Sequence, residues 1–180
     1  PVVHTKQITS VIPKSKELKG DEVIVHWGID EVHTLRSVGI KAPSPISRRY
    51  KWTGQYTPFD QQKKTAAFLT LNKRAFCFNE QGTGKTASAI WAADYLISQG
   101  KVNRVLVICP LSIMDSAWRN DMFSFAMHRR VDVAYGSKSK RKAVIEGDAE
   151  FVVINYAGVE LVEDAIASGG FDLIIVDEAT

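Results

Sequence analysis

Short apolar runs alternate with amphipathic stretches of helical period from residue 61 to the end of the chain. The apolar runs predict strands at 75–78, 105–109, 131–135, 151–155 and 173–176. The stretches between them predict helices at 61–71, 86–97, 115–125, 138–146 and 159–167. Because strands that alternate with helices favour a parallel sheet covered on both faces, we expect a three-layer α/β domain with right-handed crossovers.

The first 55 residues follow a different pattern. Residues 7–12 and 22–27 resemble strands, and residues 30–38 resemble a short helix. The proline-containing stretch that begins at about residue 41 favours an extended linker. We therefore expect a small N-terminal α+β appendage and linker over residues 1–55, followed by the main domain over residues 56–180.

Composition is that of a globular protein. The chain has 180 residues, of which 45% are hydrophobic and 24% charged. It has no apolar run of membrane-spanning length and no secretory signal pattern, so we expect no membrane partner. Cys77 and Cys109 occupy apolar positions without a zinc-type spacing, which favours buried thiols in a reducing compartment. We expect an intracellular protein of the cytoplasm or nucleus, which includes the case of a phage-encoded protein.

Residues 79–86 carry the strongest chemical signal. They read Asn-Glu-Gln-Gly-Thr-Gly-Lys-Thr, which is the phosphate-loop pattern except that Asn79 stands where Gly is preferred. Small residues let backbone N–H groups approach phosphates, a lysine reaches their oxygens, and a threonine hydroxyl can coordinate Mg²⁺. The predicted ATP-binding residues of this loop are Glu80, Gln81, Gly82, Thr83, Gly84, Lys85 and Thr86. A chance glycine-rich turn is the alternative, and the predicted strand before and helix after the loop disfavour it.

A second signal follows the last predicted strand, where Asp177 and Glu178 are adjacent. Ligands of parallel sheets bind beyond the carboxyl ends of strands. Asp177, together with Thr86, would hold Mg²⁺, and Glu178 would orient the attacking water. A solvated acidic turn is the alternative, which the phosphate loop disfavours. The predicted catalytic residues are thus Lys85, Asp177 and Glu178.

The loop and the acidic pair resemble the first motor lobe of superfamily-two helicases, in particular the Swi/Snf-like translocases. The family's loop reads Asp-Glu-x-Gly-x-Gly-Lys-Thr, so that Asn79 departs from it. The family's Asp-Glu-Ala-His box corresponds to residues 177–180, where Thr180 replaces the usual His. The resemblance covers about residues 56–180 and implies a RecA-like ATP-binding lobe, which we expect to be truncated after the acidic box.

Two further blocks carry the same resemblance. A strand followed by Pro-Leu-Ser and later by Trp corresponds to residues 105–112 and Trp118, and a Thr-Tyr pair corresponds to Asn155-Tyr156. The family implies contacts between these blocks and a nucleic-acid backbone, which would be independent of sequence. The implied contact residues are Pro110, Leu111, Ser112, Asn155 and Tyr156. Ser112 could equally be a helix N-cap.

Gln62 corresponds to the glutamine that the family places before its loop, after a proline–aromatic pair, here Pro58-Phe59. Its amide can donate to and accept from an adenine edge, which would select ATP over GTP. An exposed glutamine at a helix start is the alternative.

The sequence therefore predicts the first motor lobe of an ATP-dependent DNA translocase that uses ATP and Mg²⁺ and grips duplex DNA. The family requires a second lobe with an arginine finger, which we expect to be missing here, so this chain should bind nucleotide better than it hydrolyses it. An AAA-type ATPase acting on proteins and a non-catalytic DNA- or protein-binding module are the rivals. A basic cluster within residues 129–142 could contact phosphates or be a solvated face; its members are Arg129, Arg130, Lys138, Lys140, Arg141 and Lys142.

Overall fold

The computed structural model describes residues 5–19 and 22–178. They divide into two compact units. The smaller takes the described residues up to Lys51 together with Ala67–Ala75, and the larger takes Trp52–Ala66 and the described residues from Phe76 onward. Helix α4, Asp60–Leu71, contributes residues to both. The predicted division at residue 55 stays a prediction.

The described part of the smaller unit contains short helices, a two-stranded ribbon and the C-terminal end of α4. Its elements are α1 (Thr5–Val11), β1 (Lys16–Glu17), β2 (Val23–Ile24), α2 (Ile29–Ser37) and α3 (Ile46–Arg49). The ribbon is antiparallel, with Lys16 opposite Ile24. The strand predicted at 7–12 is wrong, because this segment closes local helical bonds such as Ile12 N–H to the Ile8 carbonyl at 2.9 Å. Part of the predicted linker is packed, since Ile46 is fully buried.

The larger unit is built on a four-stranded parallel sheet. Its strands are β3 (Val105–Cys109), β4 (Val131–Ala134), β5 (Phe151–Asn155) and β6 (Leu173–Val176), in the order β4-β5-β3-β6. Val105 pairs with both Phe151 and Leu173, and Val131 also pairs with Phe151, so all four strands start at one level. The carboxyl ends of the strands therefore share one edge. The predicted α/β fold with a parallel sheet is confirmed.

Helices cover the two faces of this sheet. They are α5 (Lys85–Ser98), α6 (Asn120–Phe125), α7 (Lys138–Ile145), α8 (Tyr156–Leu161) and α9 (Glu163–Ser168). The core consists of two buried clusters, one on each face of the sheet, because successive side chains of a strand point to opposite faces. Val105, Val107, Phe151 and Val153 belong to one buried cluster. Leu106, Val152 and Ile154 belong to the other.

The strand predicted at 75–78 does not form. Phe76 is 80% exposed and Phe78 90% exposed, and their rings stack on each other with centroids 5.8 Å apart. An apolar run becomes a strand only when a neighbouring strand takes its hydrogen bonds and other elements cover its faces. In residues 5–19 and 22–178, no strand pairs with this segment.

Two predicted helices are subdivided. Residues 111–125 form a 3₁₀ turn (Leu111–Ile113), a π-helical segment (Met114–Arg119) and then α6. Val162, with φ of −136°, separates α8 from α9. Within the described residues, no helix has the length and apolar character needed to cross a membrane.

Candidate functional site

The loop before α5 has the backbone shape that its glycines predict. Gly82 and Gly84 adopt left-handed conformations with φ of +78° and +76°, which residues with a Cβ rarely adopt. Gly84 is the N-cap of α5, a helix of 14 residues. Lys85 Nζ donates to the carbonyls of Asn79 at 3.0 Å and Glu80 at 3.1 Å. The ammonium group is therefore folded back over the loop, whose curvature and helix N-terminus suit an anion.

Gln62 lies against this loop. Its Nε2 donates to the Thr83 carbonyl at 3.4 Å, and its Oε1 accepts from the Phe59 N–H at 2.8 Å. A Cβ added to Gly84 would collide with Gln62 Nε2. Gly84 is therefore required both for its left-handed backbone and for the close approach of Gln62. The structure brings Gln62 to the loop, and its pairing with adenine stays a prediction.

Asp177 follows β6 at the carboxyl edge of the sheet. Its N–H donates to the Ile108 carbonyl at 2.9 Å and so extends the β3–β6 ladder by one residue. Its Oδ2 accepts from Trp118 Nε1 at 2.9 Å, and its Oδ1 accepts from the Glu178 N–H at 3.1 Å. Both backbone and carboxylate of Asp177 are thus held in place.

Glu178 has φ of +51°, the one non-glycine residue with positive φ in the described part of the chain. Such a backbone is unfavourable for a residue with a long side chain, and strain of this kind is concentrated at functional sites. Its side chain is exposed, so the carboxylate can reach a ligand from solvent.

The end of β5 also meets this edge. The Tyr156 hydroxyl donates to the Asp177 carbonyl at 2.7 Å. The Asn155 Oδ1 accepts from Arg141 Nη1 at 2.9 Å. Arg141 is 6% exposed, and it also donates to the carbonyls of Ala134 at 2.6 Å and Gly136 at 3.0 Å.

Negative charge dominates this edge. Burial, followed by the charges of Asp177 and Glu178, raises the pKa of Cys109 to about 12. Burial and then Asp177 raise the pKa of Asp121. The pKa of Tyr156 is raised by desolvation and then by Asp177, Cys109 and Glu178. In each case burial is the larger cause, and the nearby carboxylates add a second contribution of the same sign.

The Pro110–Ser112 segment leads away from the same edge and enters the 3₁₀ turn Leu111–Ile113, for which Pro110 is the N-cap. Leu111 and Ser112 are exposed. The expectation that Ser112 could cap a helix is wrong, because the helical segment that follows has Ile113 at its N-cap and no side-chain cap bond. Ser112 is thus exposed without a capping role, and its contact with nucleic acid stays a prediction.

The two halves of the predicted site are not joined directly. In the described part of the chain, no hydrogen bond or ion pair links the 79–86 loop to Asp177 or Glu178. Among these same residues, no group of three His, Cys, Asp or Glu side chains could hold a metal ion. Ala179 and Thr180, the last two positions of the acidic box, lie outside the described residues.

Some residues of the basic cluster at 129–142 form ion pairs with carboxylates, and others are exposed. Arg129 binds Asp94 at 2.6 Å and Glu150 at 2.7 Å, and Arg130 is paired with Asp148. Lys138 and Lys140 are exposed and lie in the first turn of α7. Lys142 is exposed but paired with Glu146 at 3.5 Å, and Arg141 is buried. Of the six residues predicted to contact phosphates, Lys138 and Lys140 are therefore the exposed ones that form no ion pair within the described part of the chain.

Sequence reasoning missed the roles of Trp118 and Arg141. Trp118 marked a family block, but nothing local indicates a bond to a residue 59 positions away. The burial of Arg141 could have been predicted, because it lies four positions before the apolar residue Ile145, and both are buried in α7. That spacing places Arg141 on the apolar face of the helix.

A RecA-like phosphate-loop lobe is the class of protein that this fold and this edge define. The chain belongs to the family described as type III restriction enzyme, res subunit, whose model matches residues 55–179. The predicted likeness to the N-terminal lobe of superfamily-two helicases is confirmed.

Two curated relatives match with moderate identity. Protein p41 of Acyrthosiphon pisum secondary endosymbiont phage 1 is 28% identical over 130 residues, which cover 69% of this chain and 28% of the relative. The SWI/SNF-related matrix-associated actin-dependent regulator of chromatin subfamily A-like protein 1 of Drosophila melanogaster is 26% identical over 129 residues, covering 72% of this chain and 16% of the relative. The chain thus spans less than a third of either protein.

Two solved structures share the fold. The Sulfolobus solfataricus SWI2/SNF2 ATPase core in complex with dsDNA has a TM-score of 0.53 and 18% identity, over 72% of this chain and 33% of that one. The UvsW helicase from bacteriophage T4 has a TM-score of 0.51 and 13% identity, over 96% of this chain and 86% of that one.

Proposed function

We propose that this chain is the ATP-binding first lobe of an ATP-dependent DNA translocase. The observation that carries the proposal is the geometry of the 79–86 loop, where two left-handed glycines precede a 14-residue helix and Lys85 folds over the loop. A lysine held only by backbone carbonyls can exchange them for phosphate oxygens without leaving a buried partner unpaired. Family membership supports the same proposal.

Each site residue has one task in this proposal. Lys85 and the backbone N–H groups of Gly82–Thr86 bind the phosphates of ATP. Gln62 reads the adenine edge beside Thr83. Glu178 orients the attacking water and accepts its proton.

The donor set fits Mg²⁺, because this ion needs only one or two protein oxygens beside substrate phosphates. Thr86 and Asp177 would supply these oxygens. The charge of Asp177, which adds to burial in raising the pKa values of Cys109 and Asp121, supports a cation at this edge. When bound, Mg²⁺ neutralises phosphate charge as it develops.

DNA would bind along the edge formed by Pro110–Ser112 and Asn155-Tyr156. Leu111 and Ser112 are exposed there, and Tyr156 is 39% exposed while its hydroxyl contacts Asp177. Contacts to the phosphate backbone would be independent of sequence, as a protein that moves along DNA needs. A second lobe carrying an arginine finger would complete the ATP site, and the protein would work in a reducing compartment.

The test is a Glu178→Gln substitution in a protein that joins this chain to a second lobe. ATP binding should persist, since Gln keeps the shape of Glu. ATP turnover should fall by about 10²–10⁴, since Gln is a poor base. Glu160→Gln, on exposed α8, is the matched control and should turn over ATP like the parent. Parental turnover by Glu178→Gln would contradict the role given to the acidic pair.

A further inference from the structure

Trp118 combines deep burial with a single polar contact at the candidate site. Its side chain is 1% exposed and belongs to the apolar cluster that also contains Met114, Met122 and Val107. Its indole N–H donates to Asp177 Oδ2 at 2.9 Å. The indole N–H can only donate a hydrogen bond. Because the ring is packed among apolar side chains, the position of this donor relative to the Asp177 carboxylate is fixed.

The backbone around Trp118 is unusual as well. Met114–Arg119 form a π-helical segment, and both large apolar residues in it, Met114 and Trp118, are buried. π-helical turns are rare and occur frequently at functional sites. The segment follows directly on the 3₁₀ turn Leu111–Ile113, in which Leu111 and Ser112 are exposed. Trp118 thus connects that turn to Asp177.

The remaining contacts of Asp177 leave its carboxylate partly available. Its N–H belongs to the ladder with Ile108, and its Oδ1 accepts one bond from the Glu178 N–H. A carboxylate has about four lone-pair directions on its two oxygens. Among residues 5–19 and 22–178, Trp118 and Glu178 occupy two of these directions, which leaves the others for a cation.

We propose that Trp118 is a positioning residue that orients the Asp177 carboxylate for the divalent cation of the nucleotide site. This inference rests on the proposed function and assigns to the tryptophan a task that no other described side chain performs, since no other one donates to this carboxylate. Side chains that hold a ligating group in place are worth about 10–100-fold in metal affinity or activity.

The experiment measures ATP binding to this chain by calorimetry over a series of Mg²⁺ concentrations. Trp118→Phe keeps most of the buried ring and removes the N–H. We expect it to raise the Mg²⁺ concentration needed for half-maximal ATP binding by about 10–100-fold. ATP binding in the presence of a chelator should match that of the parent.

Trp91→Phe is the matched control. Trp91 is also 1% exposed, and its indole N–H donates to the Thr53 carbonyl at 2.9 Å, away from Asp177. It should need the same Mg²⁺ concentration as the parent. An unshifted Mg²⁺ dependence in Trp118→Phe, or an equal shift in Trp91→Phe, would overturn the inference.

A second readout does not involve ATP. The indole N–H resonance of Trp118, identified by its absence from the Trp118→Phe spectrum, should move in Asp177→Ala, whereas that of Trp91 should stay in place. An unmoved Trp118 resonance would show that the hydrogen bond is absent, which overturns the inference. If the resonance moves but the parent binds no ATP at any Mg²⁺ concentration, the proposed function fails and takes the cation role of Trp118 with it.

Discussion

The Tyr156 hydroxyl donates a 2.7 Å hydrogen bond to the main-chain carbonyl of Asp177. Tyr156 lies at the edge that we propose for DNA, and Asp177 is the residue that we propose for the cation of the nucleotide site. The bond has the ordinary length for a hydroxyl donor. It joins the ends of β5 and β6, which are not neighbours in the sheet because β3 lies between them. Tyr156 therefore holds the backbone of Asp177 from the end of a strand that is not paired with β6.

Tyr156→Phe tests this bond. Loss of the hydroxyl should lower the free energy of unfolding by about 0.5–1 kcal/mol, at the low end because Tyr156 is 39% exposed. This corresponds to a decrease in Tm of about 1–4 °C in a thermal melt. Tyr135→Phe, at an exposed ring, should melt with the parent. Equal melting of both variants would show that the Tyr156 bond contributes nothing to stability.

Gln62 should govern the choice of nucleotide. If its amide reads adenine, the chain binds ATP or ADP more tightly than GTP in calorimetry with Mg²⁺, and Gln62→Ala reduces that preference by about 1–3 kcal/mol, the cost of a lost buried hydrogen-bond partner. Gln61→Ala, at the exposed neighbouring position, is the control and should keep the preference. Equal affinity of the parent for ATP and GTP would remove Gln62 from base recognition.

Cys109 should be chemically inert in the folded protein. It is fully buried, and its pKa is raised from 9.0 to about 12. Because the thiolate is the reactive form, Cys109 should resist alkylation at mildly alkaline pH while the partly exposed Cys77 reacts. Mass spectrometry of the two peptides, with and without denaturant, measures this. Alkylation of both at equal rates without denaturant would contradict the burial.

The same shift predicts a pH dependence of stability. The folded state holds the Cys109 proton more tightly than the unfolded state, whose thiol titrates near its ordinary value of 9.0. Below pH 9.0 the thiol is protonated in both states, and Cys109 does not change the free energy of unfolding with pH. As pH rises from 9.0 towards about 12, the unfolded state loses the proton first, and the free energy of unfolding decreases. Cys109→Ser or Cys109→Ala should remove this part of the alkaline loss of stability.

Lys138 and Lys140 should carry the phosphate contacts that α7 offers. Binding to random-sequence duplex should depend on salt, and Lys138→Ala with Lys140→Ala should reduce the log–log salt slope by about 0.9 for each lost phosphate contact. Arg130→Ala is the control, because Arg130 precedes β4 and α7 follows it, at opposite ends of that strand. An unchanged slope in the double variant would make α7 a solvated face.

Much of the fold follows from local patterns. β3, β5 and β6 are apolar runs, and the 79–86 loop and Asp177-Glu178 lie where strand and helix patterns change. These features depend on neighbouring residues in sequence, so sequence alone predicts them. The left-handed backbones at Gly82 and Gly84 follow from the same motif.

The rest depends on distant partners. The apolar run that contains Phe76 and Phe78 predicts a buried strand, but both side chains are exposed because no strand pairs with this segment in the described residues. Its charge predicts that Arg141 lies on the surface, but its guanidinium is buried and donates hydrogen bonds to the carbonyls of Ala134 and Gly136. The Trp118–Asp177 bond joins a π-helical segment to a strand end. Periodicity places Arg141 on the apolar face of α7, but it identifies none of the partners in these contacts.

Binding of the ATP phosphates by the 79–86 loop can be measured by calorimetric titration of this chain with ATP and Mg²⁺. The parent should bind, and Lys85→Ala should weaken binding by about 10–100-fold, the loss of hydrogen bonds from a charged group to phosphate. Lys101→Ala, at an exposed position beyond the end of α5, is the control and should bind like the parent. Circular dichroism confirms that each variant is folded. Equal affinity of folded Lys85→Ala and the parent, or no binding by a folded parent, would contradict the account.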